Sequence, residues 1–170
     1  YRKRIDHEDV VPRPTLPPGV TIVTVGDDER LRHDTVYIDN ASFSDHFGFV
    51  ERDYEYRMAR FEATTTTGWD RTRVLSIDGA AAGLLIATTH FVEDENCGYV
   101  GTLGVLKEFR GRGLGRLLLL DAFARDCEDG RVGTILHVDA NNVTPALGLY
   151  EGVGMRQVLA IDGYRKTVSL

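Results

Sequence analysis

The segment Phe109-Arg110-Gly111-Arg112-Gly113-Leu114-Gly115-Arg116, with Leu117-Leu118-Leu119-Leu120 behind it, holds the residues best suited to bind a phosphate. Gly111, Gly113 and Gly115 let backbone approach a ligand and accept positive φ. The apolar run behind them predicts a helix starting near Gly113. A helix start presents unpaired N–H groups and the positive end of the macrodipole. Arg110, Arg112 and Arg116 add cationic charge. Together they predict a pyrophosphate cradle, through backbone N–H groups from Gly111 to Arg116, Leu114 included. The glycine spacing is not that of G-x-G-x-x-G, and no Lys-Ser/Thr pair follows, so the loop is neither a Rossmann fingerprint nor a P-loop. The plainer alternative is a glycine turn with solvated arginines.

A second constellation lies at Asp139-Ala140-Asn141-Asn142-Val143-Thr144-Pro145-Ala146-Leu147-Gly148-Leu149-Tyr150. Thr144 suits an N-cap and Pro145 a first helical position. Ala146, Leu149 and Tyr150 then share one helix face. Taken alone, Tyr150 reads as a core aromatic with a satisfied hydroxyl.

The order of elements must bring these two segments together. Val20–Val25 alternates and predicts a strand. Helices are predicted over Asp27–Phe43 and Glu51–Thr64, the second with Tyr54, Met58 and Phe61 at helical spacing. Strands over Arg73–Ile77 and Ala82–Phe91 flank Asp78-Gly79, a hairpin signal. Val92–Asn96 reads as an acidic turn. A strand over Cys97–Leu106 leads into the glycine loop and a helix to about Asp129. A strand over Gly133–Val138, a short helix within Val143–Val153, and strands over Met155–Ile161 and Tyr164–Leu170 complete the chain. The pattern is a mixed α/β fold with one central sheet and helices on its faces. Residues 1–19 carry four of the five prolines and read as an extended linker before a domain spanning 20–170, as though excised from a longer protein.

A chain of 170 residues with 42% hydrophobic and 27% charged residues supports one domain with a sizeable core. Its formal charge of −6 opposes nucleic-acid binding. No apolar run approaches a membrane span, and the N-terminus lacks an apolar signal segment. Cys97 and Cys127 form no metal-ligand pattern and read as reduced thiols, so the cytoplasm is the expected compartment.

Arg110-x-x-Gly113-x-Gly115, with Leu103-Gly104-Val105 upstream and Leu149-Tyr150-x-x-x-Gly154-Met155 downstream, resembles the acetyl-CoA motifs of the GNAT N-acetyltransferase superfamily. The resemblance covers roughly residues 20–170. It implies a single GNAT-like α/β domain with a central mixed, splayed sheet, its two parallel strands 97–106 and 133–138 parting to admit acetyl-CoA. It further implies that backbone groups of Leu103, Gly104 and Val105 pair with the pantetheine arm. A backbone N–H near Val105 would polarise the thioester, and Tyr150 would protonate the departing thiolate. No metal is required. The family often has proline two residues beyond the position of Val105, where this chain has Lys107. Its asparagine stands seven residues before the tyrosine, where this chain has Val143; Asn142, eight before, serves either the cofactor or the turn.

The implied activity is direct acetyl transfer from acetyl-CoA to an amine, with a small-molecule acceptor. The alternatives are a non-catalytic acyl-CoA-binding regulatory domain and, third, a dinucleotide-binding module. A base is expected among Glu93, Asp94, Tyr99, His90 and His137, with solvation or packing as the competing role for each. The loop Asp45-His46-Phe47-Gly48-Phe49 either shapes the acceptor site or packs. Pro17-Pro18-Gly19-Val20 is similar to the joint in tandem GNAT proteins of the mycothiol-synthase type. That likeness implies a companion N-terminal half; a homodimer is the other partner considered.

Overall fold

The structure is a computed structural model that describes residues 1–44, 49–138 and 146–160. Among the described residues seven strands form one sheet in the order β2-β3-β4-β5-β6-β1-β7. The strands are β1 (Arg2–Asp6), β2 (Val20–Thr24), β3 (Thr67–Ile77), β4 (Ala80–Thr88), β5 (Cys97–Val105), β6 (Gly133–His137) and β7 (Arg156–Leu159). The helices are α1 (Glu29–Phe43), α2 (Tyr54–Glu62), α3 (Val92–Glu95), α4 (Leu114–Glu128) and α5 (Ala146–Gly152). Every strand pairing is antiparallel except β5 with β6. The sheet is therefore mixed and the fold α/β, as expected.

Local chemistry sets the element ends. Asp28 caps α1 by accepting from the Leu31 N–H at 3.1 Å, and Asp53 caps α2 by accepting from the Tyr56 N–H at 2.7 Å. Asp78 and Gly79 adopt positive φ of 50° and 83°, which suits the tight turn joining β3 to β4. The acidic run after β4 forms the short helix α3 rather than a plain turn. Asn96 ends it in the left-handed conformation, φ 48°.

Two apolar layers cover the sheet. On one face α4 buries Leu118, Leu119 and Phe123 against Leu75, Leu85, Val100 and Leu136. On the other, Leu31, Ile38 and Phe61 of α1 and α2 pack on Val74, Leu84 and Ile86. Each such side chain, fully buried, contributes about 1.5–3 kcal/mol. The four-leucine run is thus core: Leu118 and Leu119 are buried, while Leu117 and Leu120 pack at its margin.

Residues 1–19 depart from the expected linker. Arg2–Asp6 form β1, a strand inserted between β6 and β7 and antiparallel to both. Its sequence, Arg-Lys-Arg-Ile-Asp, is too charged to announce a strand. The charges are accommodated by partners: Arg2 meets Glu95, Lys3 meets Glu151 at 3.2 Å, and Arg4 meets Asp6 at 2.7 Å. The stretch after β1 is extended but anchored. Arg13 bridges Glu128 and the buried Asp121, the latter at 2.9 Å. The expected strand over Tyr164–Leu170 lies outside the described residues.

Candidate active site

β5 and β6 run side by side only over Cys97–Val100 and Gly133–Leu136. Beyond Val100 and Leu136 the ladder stops, although β5 continues to Val105. Two features part the strands. The register between β4 and β5 slips between Ile86–Thr102 and Ala87–Val100, so Gly101 is an extra residue, a bulge that bends β5. Meanwhile β6 is held on its far edge by β1, with Arg2 opposite His137.

The gap opens into a cavity of about 440 Å³. Val100, Gly101, Thr102 and Leu103 line it from β5, and Leu136, His137 and Val138 from β6 and its end. Tyr150 contributes from α5; Asp39, Asn40 and Phe43 from α1; Phe49, Val50, Arg52 and Arg57 from α2 and the chain before it. The size falls within the usual range for a small-ligand site.

The glycine loop follows the end of β5 and leads into α4, outside the cavity lining. Gly111 and Gly113 take φ of 76° and 75°, which a side chain would strain. Gly113 is the N-cap of α4 and offers no side-chain acceptor. The first helical bond there runs from the Leu117 N–H to the Gly113 carbonyl at 3.2 Å, so the N–H groups of Leu114, Gly115 and Arg116 precede any helical acceptor. An uncapped helix start of this kind fits an anionic pyrophosphate. Gly115 has a different reason to lack a side chain: a Cβ there would come within 3.2 Å of Leu149 on α5. That close packing sets α4 directly against the helix carrying Tyr150.

The three arginines divide their tasks. Arg110 donates from Nε to the Val105 carbonyl and from Nη2 to the Ser42 carbonyl, each at 3.0 Å. It braces the loop to β5 and α1. Arg116 donates to the Gly152 carbonyl and ties α4 to α5. The Arg112 guanidinium lies 5.4 Å from the Phe109 ring centre. Much of the charge expected for a phosphate therefore holds the walls of the cleft, and the backbone is left to bind. A 3-10 turn over Lys107–Phe109 stands where the family often places proline.

Leu103, Gly104 and Val105 pair with β4 on one edge and face the gap on the other. Tyr150 is half-buried, and burial pushes its phenol above the ordinary value, so it stays protonated at neutral pH. Asn142, Thr144 and Pro145 lie outside the described residues, as do Asp45, His46 and Phe47; Phe49 reaches the cavity.

The candidate bases separate. Glu93 and Asp94 are exposed on α3, away from the cavity lining. His90 is exposed, with its ring 6.2 Å from that of Tyr99. His137 lines the cavity, and its Nδ1 lies 3.2 Å from the Tyr99 hydroxyl. Sequence reasoning did not single out the Asp39–Arg57 ion pair, both members largely buried at the cavity wall. Burial lowers the Arg57 pKa, and Arg60 lowers it further. Their spacing across two helices carries no local signal. No cluster of His, Cys, Asp or Glu among the described residues could hold a metal. Cys97 and Cys127 are free. No helix among the described residues is long and apolar enough to cross a membrane.

The sheet thus splits beside a half-buried tyrosine, near a helix whose glycine N-cap leaves its first N–H groups without a side-chain partner. Residues 34–155 match the acetyltransferase (GNAT) family, and the chain belongs to that family. It is 30% identical over 159 residues to mycothiol acetyltransferase of Nocardia farcinica, a match covering 85% of this chain and 48% of that protein. The crystal structure of a GCN5-related N-acetyltransferase from Sphaerobacter thermophilus superposes with a TM-score of 0.73 at 22% identity, over 92% of this chain and 47% of the other. An aminoglycoside acetyltransferase from an uncultured soil sample, in complex with sisomicin, gives a TM-score of 0.68 at 14% identity, over 89% of this chain and 97% of the other. At these identities the structural likeness establishes the fold. The chain spans about half the length of the curated relative it matches.

Proposed function

We propose that this domain transfers acetyl from acetyl-CoA directly to the amine of a small molecule. The observation that carries this reading is the parting of β5 and β6 beyond Val100 and Leu136, with Tyr150 lining the gap and the start of α4, which has no side-chain cap, packed against the helix that carries it. The pyrophosphate would bind the N–H groups from Gly111 to Arg116. The pantetheine arm would pair with the edge of Leu103–Val105 that β6 leaves unpaired, as another strand would. A backbone N–H near Val105 would polarise the thioester carbonyl. Neutral amine attacks that carbonyl carbon, the C–S bond breaks, and Tyr150 protonates the thiolate.

The described cavity wall carries two guanidinium groups, Arg52 and Arg57, and one carboxylate, Asp39. Arg57 is paired with Asp39, so the wall itself sets no preference for a cationic acceptor. A companion GNAT-like half remains part of this proposal, supported by the half-length match to the curated relative.

The test is incubation with acetyl-CoA and a panel of primary amines, reading acetylated product by mass and released thiol by colour. Product with at least one amine supports the proposal. Binding of acetyl-CoA with no product from any amine favours the non-catalytic acyl-CoA-binding reading.

A further inference from the structure

An amine attacks a thioester only when neutral, so the transfer proposed above needs a group to take the ammonium proton. We propose that His137 is that group and that Tyr99 positions it. The inference rests on the acetyl-transfer reading. Of the five candidate bases, His137 alone lines the described cavity that Tyr150 also lines.

The strand geometry puts His137 there. In the parallel ladder Tyr99 pairs with Ile135, so His137, two residues on, projects from the same face as Tyr99. It is also the first residue of β6 beyond the last pair, Val100–Leu136, where the gap begins. The Tyr99 hydroxyl sits 3.2 Å from Nδ1, and the two rings meet at 61° with centres 5.4 Å apart. A hydroxyl oxygen that accepts from Nδ1–H leaves Nε2 with its lone pair, the tautomer a base requires. Phe91, edge-on with its centre 5.8 Å from that of His137, limits the ring's freedom to turn.

The charges around the ring favour the neutral form. His137 is exposed, but partial desolvation lowers its pKa, and Arg2 of β1, the Tyr1 ammonium and His90 lower it further. Glu95 engages Arg2. Tyr99 is held protonated by burial, with Arg2 opposing. Asp39 of α1, Arg52 before α2, Arg57 of α2 and Tyr150 of α5 face the same cavity. A pKa below the usual 6.5 leaves the imidazole free to accept a proton at pH 7.

The protons balance. The ammonium of the acceptor gives one proton to Nε2, directly or through one water, and the freed amine bonds to the thioester carbon. On collapse the C–S bond breaks and the thiolate takes the Tyr150 hydroxyl proton. The Tyr150 phenolate takes the proton left on the new amide nitrogen. His137 then releases its proton to solvent, and the net products are amide, CoA thiol and one proton.

The experiment compares wild type, His137→Gln and Tyr99→Phe with acetyl-CoA and the panel glucosamine, lysine and sisomicin, from pH 5 to 9. For an amine that wild type acetylates, His137→Gln should lose about 100-fold in kcat/KM at pH 7. Its acid limb should move up toward the pKa of the amine, with KM for acetyl-CoA unchanged. Tyr99→Phe should lose less and retain a histidine limb. Imidazole 15N shifts should report Nδ1–H in wild type and a mixed tautomer in Tyr99→Phe. A His137→Gln profile within twofold of wild type, or an Nε2–H imidazole in wild type, would overturn the assignment. Wild type that binds acetyl-CoA yet acetylates none of the panel or any wider set of amines would overturn the transfer reading itself.

Discussion

Val100 on β5 and Leu136 on β6 are the last residues these parallel strands pair, and both side chains line the cavity that opens just beyond them. The split is therefore built at one step of one ladder. The bulge at Gly101 turns β5 away, and β1 secures β6 on its other side. Tyr150 is carried to the gap by α5, which packs through Leu149 against Gly115 at the start of α4.

The loop glycines should fail in different ways when substituted. Gly113→Ala forces a left-handed alanine at the N-cap and should cost about 1–2 kcal/mol of stability. It should also weaken binding of CoA, measured by calorimetry. Gly115→Val instead drives into Leu149 and displaces the neighbouring Tyr150. Steady-state kinetics should show kcat falling about tenfold or more, since small misplacement of a reacting group is costly.

Tyr150 should set an alkaline limit. Burial raises its pKa above the ordinary phenol value of 10, and only the protonated form donates. The rate should therefore hold through pH 9 and decline only above the ordinary phenol range. In Tyr150→Phe that decline should vanish, a change read from the pH dependence of kcat.

Asp126 makes stability depend on pH. It accepts from the Thr134 hydroxyl, which also lies 2.9 Å from Nε2 of His7. Burial pushes its pKa from 3.8 to about 6. The folded chain thus holds this proton more tightly than the unfolded chain, and the associated stability is lost as pH rises from about 4 through 6. At about 1.4 kcal/mol per pH unit the effect is at most about 3 kcal/mol. Asp126→Asn keeps an acceptor for Thr134 without the charge. Thermal melts should show it more stable than wild type at pH 7.5 and level with it near pH 4.

Strand β1 should be essential to the split. Deleting residues 1–6 exposes an edge of β6, separates β7 from the sheet and removes the Lys3–Glu151 contact with α5. The melting temperature should fall by well over 5 °C, consistent with a loss of several kcal/mol. Amide exchange should quicken first in β6 and β7.

Much of this architecture could be read from the sequence because its signals are local. The period-2 and helical patterns locate β2, β4, β5, α1 and α4 to within a few residues, and Asp78-Gly79 announces its turn. The glycine loop shows itself by composition. The strand β1 does not, because the partners that accommodate Arg2 and Lys3, and Glu95 beside Arg4, lie 91 to 148 positions away. The bracing roles of Arg110 and Arg116 were hidden for the same reason: their acceptors are backbone carbonyls on other elements. His137 and Tyr99 each look ordinary in sequence, and only the register of β5 against β6 joins them.

The central claim is that this cleft performs acyl transfer with Tyr150 as the acid. It is tested most directly by single-turnover release of CoA thiol, in wild type and Tyr150→Phe, with saturating acetyl-CoA and an accepted amine. The account predicts release by wild type and a loss of about 100-fold in Tyr150→Phe, with unchanged affinity for CoA. Equal rates in the two proteins would contradict it.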